Sequence, residues 1–155
     1  MNRNELLTQY QKGRRDFSGL YLRDIDLFKA CLRGINLSGS DLSGSVLQEV
    51  GLQRAWVSRA NLERTNLSKA NLVKLQAFRT NLSETNLYKA NLTAAFLVEA
   101  NLFNSDLSEV NLQGGSLIDS FLNKTFFCSA NLKEVRFKRL RLEEAYLSPL
   151  NPGVL

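Results

Sequence analysis

The stretch Ala60-Asn61-Leu62-Glu63-Arg64-Thr65-Asn66-Leu67-Ser68-Lys69-Ala70-Asn71-Leu72 repeats one five-residue unit: a small residue, Asn, Leu and two polar residues. With the Leu taken as the centre, the phase runs without a slip from Phe17 to Leu147. That makes 27 consecutive units, 25 of them centred on Leu or Phe, with Val57 and Ala77 as the exceptions. An internal repeat of this length decides the architecture before any local propensity is considered.

A period of five suits neither regular element. On an α-helix, five residues advance by about 500°, so each Leu lands about 140° from the last and no apolar stripe forms. In a flat strand, side chains alternate, and an odd period throws successive Leu residues onto opposite faces. Every Leu stays inside only if the chain turns a corner in each unit. A ribbon that turns the same way every five residues closes into a solenoid. Its axis is filled by the central residue and by the residue two before it, and the other three positions face out.

The inward position before the centre is mostly small, as at Ala30, Ser40, Ala60, Thr65, Ala70, Thr80, Ala90, Ala100 and Ala130. One unit reverses the sizes: Leu75 stands at the small site and Ala77 at the centre. Such an exchange conserves volume, which close-packed interiors tolerate, so both residues are assigned to the core.

The register Ala70-Asn71-Leu72-Val73-Lys74, repeated at Ala100-Asn101-Leu102-Phe103-Asn104, resembles the pentapeptide repeat family, and the match extends over residues 15–148. The resemblance implies an all-β fold: a right-handed, quadrilateral parallel β-helix with four units per coil, here a little under seven coils. At a strand spacing near 4.8 Å the solenoid is roughly 30 Å tall. It also suggests a bacterial, cyanobacterial-like origin.

One domain over 1–155 is expected, with a capping α-helix at 2–13, the repeat at 15–148 and a tail at 149–155. Asn2 and Glu5 form a capping-box pattern, Leu6, Leu7 and Tyr10 share a helical face, and Gly13 stops the helix. Such a helix would lid the open edge of the first coil, since an unpaired coil is a template for aggregation. Leu20, Ile25 and Ile35, large for the small site, would pack against it. Gly19, Gly34, Gly39 and Gly44 suit corners with positive φ. The tail's two prolines cannot extend a ladder. Leu150, Val154 and Leu155 could fold over the last coil, or that coil could pair with a second copy, as the family resemblance suggests.

The net charge of +5 permits an acidic partner without requiring one. Cys31 and Cys128 fall almost five coils apart, over 20 Å at about 4.8 Å per coil, too far to bond to each other. Free thiols, the absence of a secretory h-region after Met1 and the absence of a membrane-length apolar run give a cytoplasmic protein as the expectation.

Chemistry is sparse. The chain has no His, no paired Cys with zinc spacing, no phosphate loop and no nucleophile elbow. No catalytic residue, cofactor or metal ligand is therefore assigned, and an enzyme is not expected. The Asn residues before the centres are read as structural, bonding corner backbone and stacking between coils. One outward region is apolar. Trp56 and Phe96 share a column with Gln76, and Phe78, Val98 and Ile118 share the column just past the centres on the same side. This contiguous patch is the candidate interaction surface, for an unknown protein partner or a homodimer. Arg136, Lys138, Arg139 and Arg141 form a secondary, basic candidate. Two alternatives stand beside a binding module. One is an uncharacterised enzyme, which would need a cleft lined by carboxylates. The other, implied by the family, is a DNA-mimicking modulator of a type II topoisomerase. Mimicry needs rows of negative charge, which this chain lacks, and nucleic acid is not among the expected partners.

Overall fold

The computed structural model describes residues 1–146. Its only α-helix among these is α1, Arg3–Gln11, and the rest of the chain is a coil in which each residue before a centre pairs in parallel with the residue twenty positions on, from Asp16 with Asn36 to Phe126 with Tyr146. Four units therefore make each turn of a right-handed, four-sided parallel β-helix. The strand on each face is so short that it registers as a single bridge rather than an extended strand.

Three backbone bonds per unit tie neighbouring coils. In the quoted stretch Leu62 N–H donates to Asn81 O at 2.8 Å, Arg64 N–H to Ser83 O at 3.0 Å, and Asn81 N–H to Ala60 O at 3.0 Å. A fourth bond closes the corner, as where Thr65 N–H meets Leu62 O at 3.2 Å. The second residue after each centre carries positive φ without exception from Gly19 to Glu144, the arrangement of a type II turn. The glycines at these corners are thus a minority. Lys, Arg, Glu, Asp, Asn, Ser and Ala all adopt the left-handed conformation here, at roughly 1–2 kcal/mol each. The three cross-coil bonds and the buried centre beside each corner outweigh that cost.

The outward Asn residues do two jobs. Asn81 Oδ1 accepts from the backbone of Ser83 at 3.2 Å, bracing the corner, and from Asn101 Nδ2 at 3.1 Å, while Asn81 Nδ2 donates to Asn61 Oδ1 at 3.0 Å. The result is a ladder from Asp41 through Asn61 and Asn81 to Asn101. The inward hydroxyls are satisfied as well. Thr80 donates to Val57 O at 2.8 Å and Thr85 to Leu62 O at 2.9 Å, each spanning to the coil below. Burying these hydroxyls is thereby offset by a bond to a centre's carbonyl.

The core is a column. From Phe17 to Leu132 every centre is buried, including Val57 and Ala77, and Leu75 is buried with them. At the base, the capping box of Asn2 and Glu5 forms as expected, Leu6 is buried, and Leu7, Tyr10 and Leu20 pack against the core. α1 also satisfies carbonyls of the first coil that have no coil beneath them. Arg3 donates to Asp26 O at 2.6 Å and to Phe28 O at 3.1 Å, and the Tyr10 hydroxyl donates to Arg33 O at 2.8 Å.

The other end departs from the expected pattern. Phe137 and Leu142, assigned to the axis as centres, are 38% and 41% exposed, because no described coil stacks above them. Leu147 and the tail residues Leu150, Val154 and Leu155, expected over this coil, lie outside the described residues. Cys31 is exposed, Cys128 half-buried, and both are free.

Candidate functional site

The face that carries Trp56 is built from centres Phe17, Leu37, Val57, Ala77, Leu97, Leu117 and Phe137. Its outward column runs Asn36, Trp56, Gln76, Phe96, Ser116, Arg136, each bridged to the next. Trp56 is 56% exposed and Phe96 38%. The structure brings the five predicted residues onto one face but not to equal prominence. Phe78, Val98 and Ile118 are only half-buried, each standing just before its corner neighbour. At Phe78 that neighbour is Arg79, whose guanidinium carbon sits 4.8 Å from the ring centre. The apolar surface is therefore two protruding aromatics with a half-sheltered aliphatic strip beside them.

Beside Trp56 the surface dips into an open hollow of about 590 Å³ lined by Ser38, Arg54, Trp56, Ser58, Lys74 and Gln76. Ser38 and Ser58 are small enough to leave the floor clear. Arg54 and Lys74 come from the corner that leads into this face.

The secondary basic candidate separates in space. Arg136 and Lys138 stand on the Trp56 face, Arg139 at its far corner, and Arg141 on the next face. Arg139 makes a two-pronged pair with Asp119, Nε to Oδ1 at 2.6 Å and Nη2 to Oδ2 at 2.7 Å. That hydrogen bond, ahead of the carboxylate's charge, holds the guanidinium above its ordinary value. Arg141 lies 4.9 Å from the Phe121 ring centre and Arg136 5.6 Å from that of Phe96. Three of the four cations are thus occupied within the molecule, and the cluster is not one patch.

Sequence reading passed over a second depression. A hollow of about 810 Å³ is lined by Arg79, Glu99, Asp119, Phe121, Arg139, Leu140 and Arg141, and across the Phe121–Arg141 ridge a smaller one involves Phe103. Phe103, 40% exposed, was masked by the regularity of its own unit. The larger hollow does hold two carboxylates. Each is engaged, Glu99 by Arg79 at 2.6 Å and Asp119 by Arg139, which leaves neither as a free acid or base. Among the described residues no group of His, Cys, Asp and Glu could hold a metal ion, and no helix is long and apolar enough to cross a membrane.

One detail of the Trp56 face is unpaid polarity. Among the described residues the buried Ser116 Oγ has no hydrogen-bond partner, and the Arg136 guanidinium from the coil above reaches past it to the Phe96 ring. An unpartnered buried hydroxyl costs about 1–3 kcal/mol. Ser116→Ala is therefore expected to leave the thermal midpoint unchanged or to raise it, in contrast to the usual cost of a core substitution, and a melting curve by circular dichroism checks this.

Comparison with known proteins agrees with the fold. The model of the pentapeptide repeats family matches in eight copies over residues 15–44, 45–83, 80–117 and 116–148. No curated protein matches the chain. Among solved structures, a trypsin-treated form of QnrB1, a plasmid-mediated fluoroquinolone resistance protein, superposes with a TM-score of 0.76 at 19% identity, covering 89% of this chain and 71% of that one. Full-length QnrB1 gives 0.53 at 14% identity, covering 88% and 85%. Rfr23 from the cyanobacterium Cyanothece 51142 gives 0.44 at 22%, covering 92% and 98%. With the repeat matched over nearly its whole length and each coil formed by four units, this chain belongs to the pentapeptide repeat family.

Proposed function

We propose that this protein is a non-enzymatic binding module and that the Trp56 face is the surface on which a protein partner docks. The observation that supports the reading is the exposure of Trp56 and Phe96 two coils apart on one face, flanked by Phe78, Val98 and Ile118. On a solenoid whose other columns are largely Asn, Ser and charged residues, an aromatic costs solubility and adds nothing to the axial core. Aromatic residues are the usual anchors of protein interfaces. A second copy of the chain or a different protein would both use such a surface.

The topoisomerase alternative has one point in its favour, the likeness to QnrB1, which at 19% identity speaks for the fold alone. The surface speaks against mimicry of a duplex. Along the corner column of the Trp56 face the signs change, from Arg59 and Arg79 to Glu99 and Asp119 and back to Arg139, where a mimic would need an unbroken row of negative charge.

The test is a comparison of the native chain with Trp56→Ser and Phe96→Ser, singly and together, by sedimentation velocity and by pull-down from cells of the source organism. Both side chains are exposed, so each variant is expected to fold with stability within about 1 kcal/mol of the parent. The double variant is expected to lose its association by tenfold or more. Undiminished association in all three variants would remove this face from the reading.

A further inference from the structure

The cations near Trp56 form a pattern that only the coil geometry reveals. Arg54, Arg59, Arg64, Lys69, Lys74 and Arg79 occupy six successive corners, one full turn of the coil and half of the next, and all are exposed. Elsewhere on the rod, corner cations stack on a carboxylate one coil away: Lys29 on Glu49 at 3.5 Å, Lys89 on Glu109 at 3.3 Å, Lys124 on Glu144 at 3.5 Å. In the belt only Arg64 and Arg79 are paired, with Glu63 and Glu99. Among the described residues Arg54, Arg59, Lys69 and Lys74 make no ion pair. Arg54 and Lys74 stand on successive coils, about 4.8 Å apart along the axis, at one rim of the Trp56 hollow. Arg59 stands at the opposite corner of the same face. Trp56 is therefore an exposed ring between unpaired cations, above a floor of serine hydroxyls.

We propose that the Trp56 hollow receives a short acidic segment of a protein partner, with carboxylates on Arg54, Lys74 and Arg59 and an apolar side chain laid against Trp56. This rests on the reading of the face as a protein-docking surface and adds the chemistry of what docks there. Two features favour an acidic peptide over a phosphate backbone. Up the face the surface turns apolar at Phe78, Val98 and Ile118, which suits protein side chains. Along the same corner column Arg79 is taken by Glu99 and Arg139 by Asp119, so among the described residues no continuing row of free cations is offered to a polyanion running the length of the rod. A hollow of about 590 Å³ admits a few side chains, not a duplex. Complementary charge here sets the register and speeds the encounter, while Trp56 supplies the buried anchor.

The test pans a phage-displayed library of random 12-residue peptides on the whole chain, then titrates the enriched peptides by isothermal calorimetry, a readout that survives replacement of the single Trp. Sequences carrying net negative charge with an aromatic or large aliphatic residue are expected. Their affinity should fall at least tenfold in the Arg54→Glu, Lys74→Glu double variant and stay within twofold in a Lys133→Glu control. The reversals should fold, because Glu already occupies the equivalent corner at 49, 84 and 99 with φ of 55–57°. Enriched peptides that are neutral or basic overturn the proposal, as do acidic ones indifferent to the charge reversal. If Trp56→Ser abolishes peptide binding while the reversal leaves it intact, the acidic partner is refuted and the docking face survives. If neither change matters, both readings fall. Tighter binding of a 12-nucleotide single-stranded DNA than of any peptide would also overturn it.

Discussion

Leu75→Ala alone is expected to cost about 2–5 kcal/mol, the range for a buried Leu truncated in a packed core. Ala77→Leu alone is expected to cost about 1–3 kcal/mol through overpacking. Combined in one chain, the two substitutions restore the usual order of small residue and central Leu. The double variant is then expected within about 1.5 kcal/mol of the parent, since total volume is kept. The coupling between the sites, at least about 1.5 kcal/mol, is what the inverted unit predicts. Both residues are buried and belong to one unit, so the void left by the first change is where the methyl groups added by the second must go. Urea unfolding followed by circular dichroism measures all four corners of the cycle. Additive losses would mean that the two side chains occupy independent spaces, and that the inversion is not a compensation.

Removing the anchor of α1 should open the base of the rod without melting its middle. Leu6 is buried against the first coil, and the helix it fixes places Arg3 and Tyr10 on the carbonyls of Asp26, Phe28 and Arg33. Leu6→Ala is expected to cost about 2–5 kcal/mol. Leu6→Asp should cost more, because an unpaired charge cannot stay there and the helix must detach. Coils touch only their neighbours, so the loss propagates weakly. Amide exchange in Leu6→Asp is expected to accelerate at least a hundredfold across residues 16–36 and to change little across residues 82–107. The freed edge should also drive concentration-dependent association, visible by light scattering. Uniform loss of protection along the chain would refute the local picture, and so would unchanged exchange at the base.

The axis was legible in the sequence because each central Leu obeys one spatial rule, and the inverted unit at Leu75 and Ala77 could be read for the same reason. The capping box of α1 was legible because its residues are local to one another. The corners were not. A charged residue in left-handed backbone has no compositional mark, so Gly19, Gly34, Gly39 and Gly44 drew attention while Lys69 or Glu84, with the same sign of φ, did not. The exposure of Phe137 and Leu142 depends on what stacks above them, which no local pattern reports. The basic run Arg136–Arg141 read as one patch because its members are adjacent in sequence, whereas the coil sends them to different faces and onto Phe96, Asp119 and Phe121. The belt from Arg54 to Arg79 was hidden for the converse reason: its members become neighbours only once the chain is wound.

The uniform corner has a wider meaning. Non-glycine residues of every charge type hold φ between 51° and 60° there, so the skeleton does not register which one is present. Decoration and framework are separately adjustable. A lineage could repaint the outside of this rod one substitution at a time, swapping what it attracts, while the bolt of leucines through its middle stayed as it was.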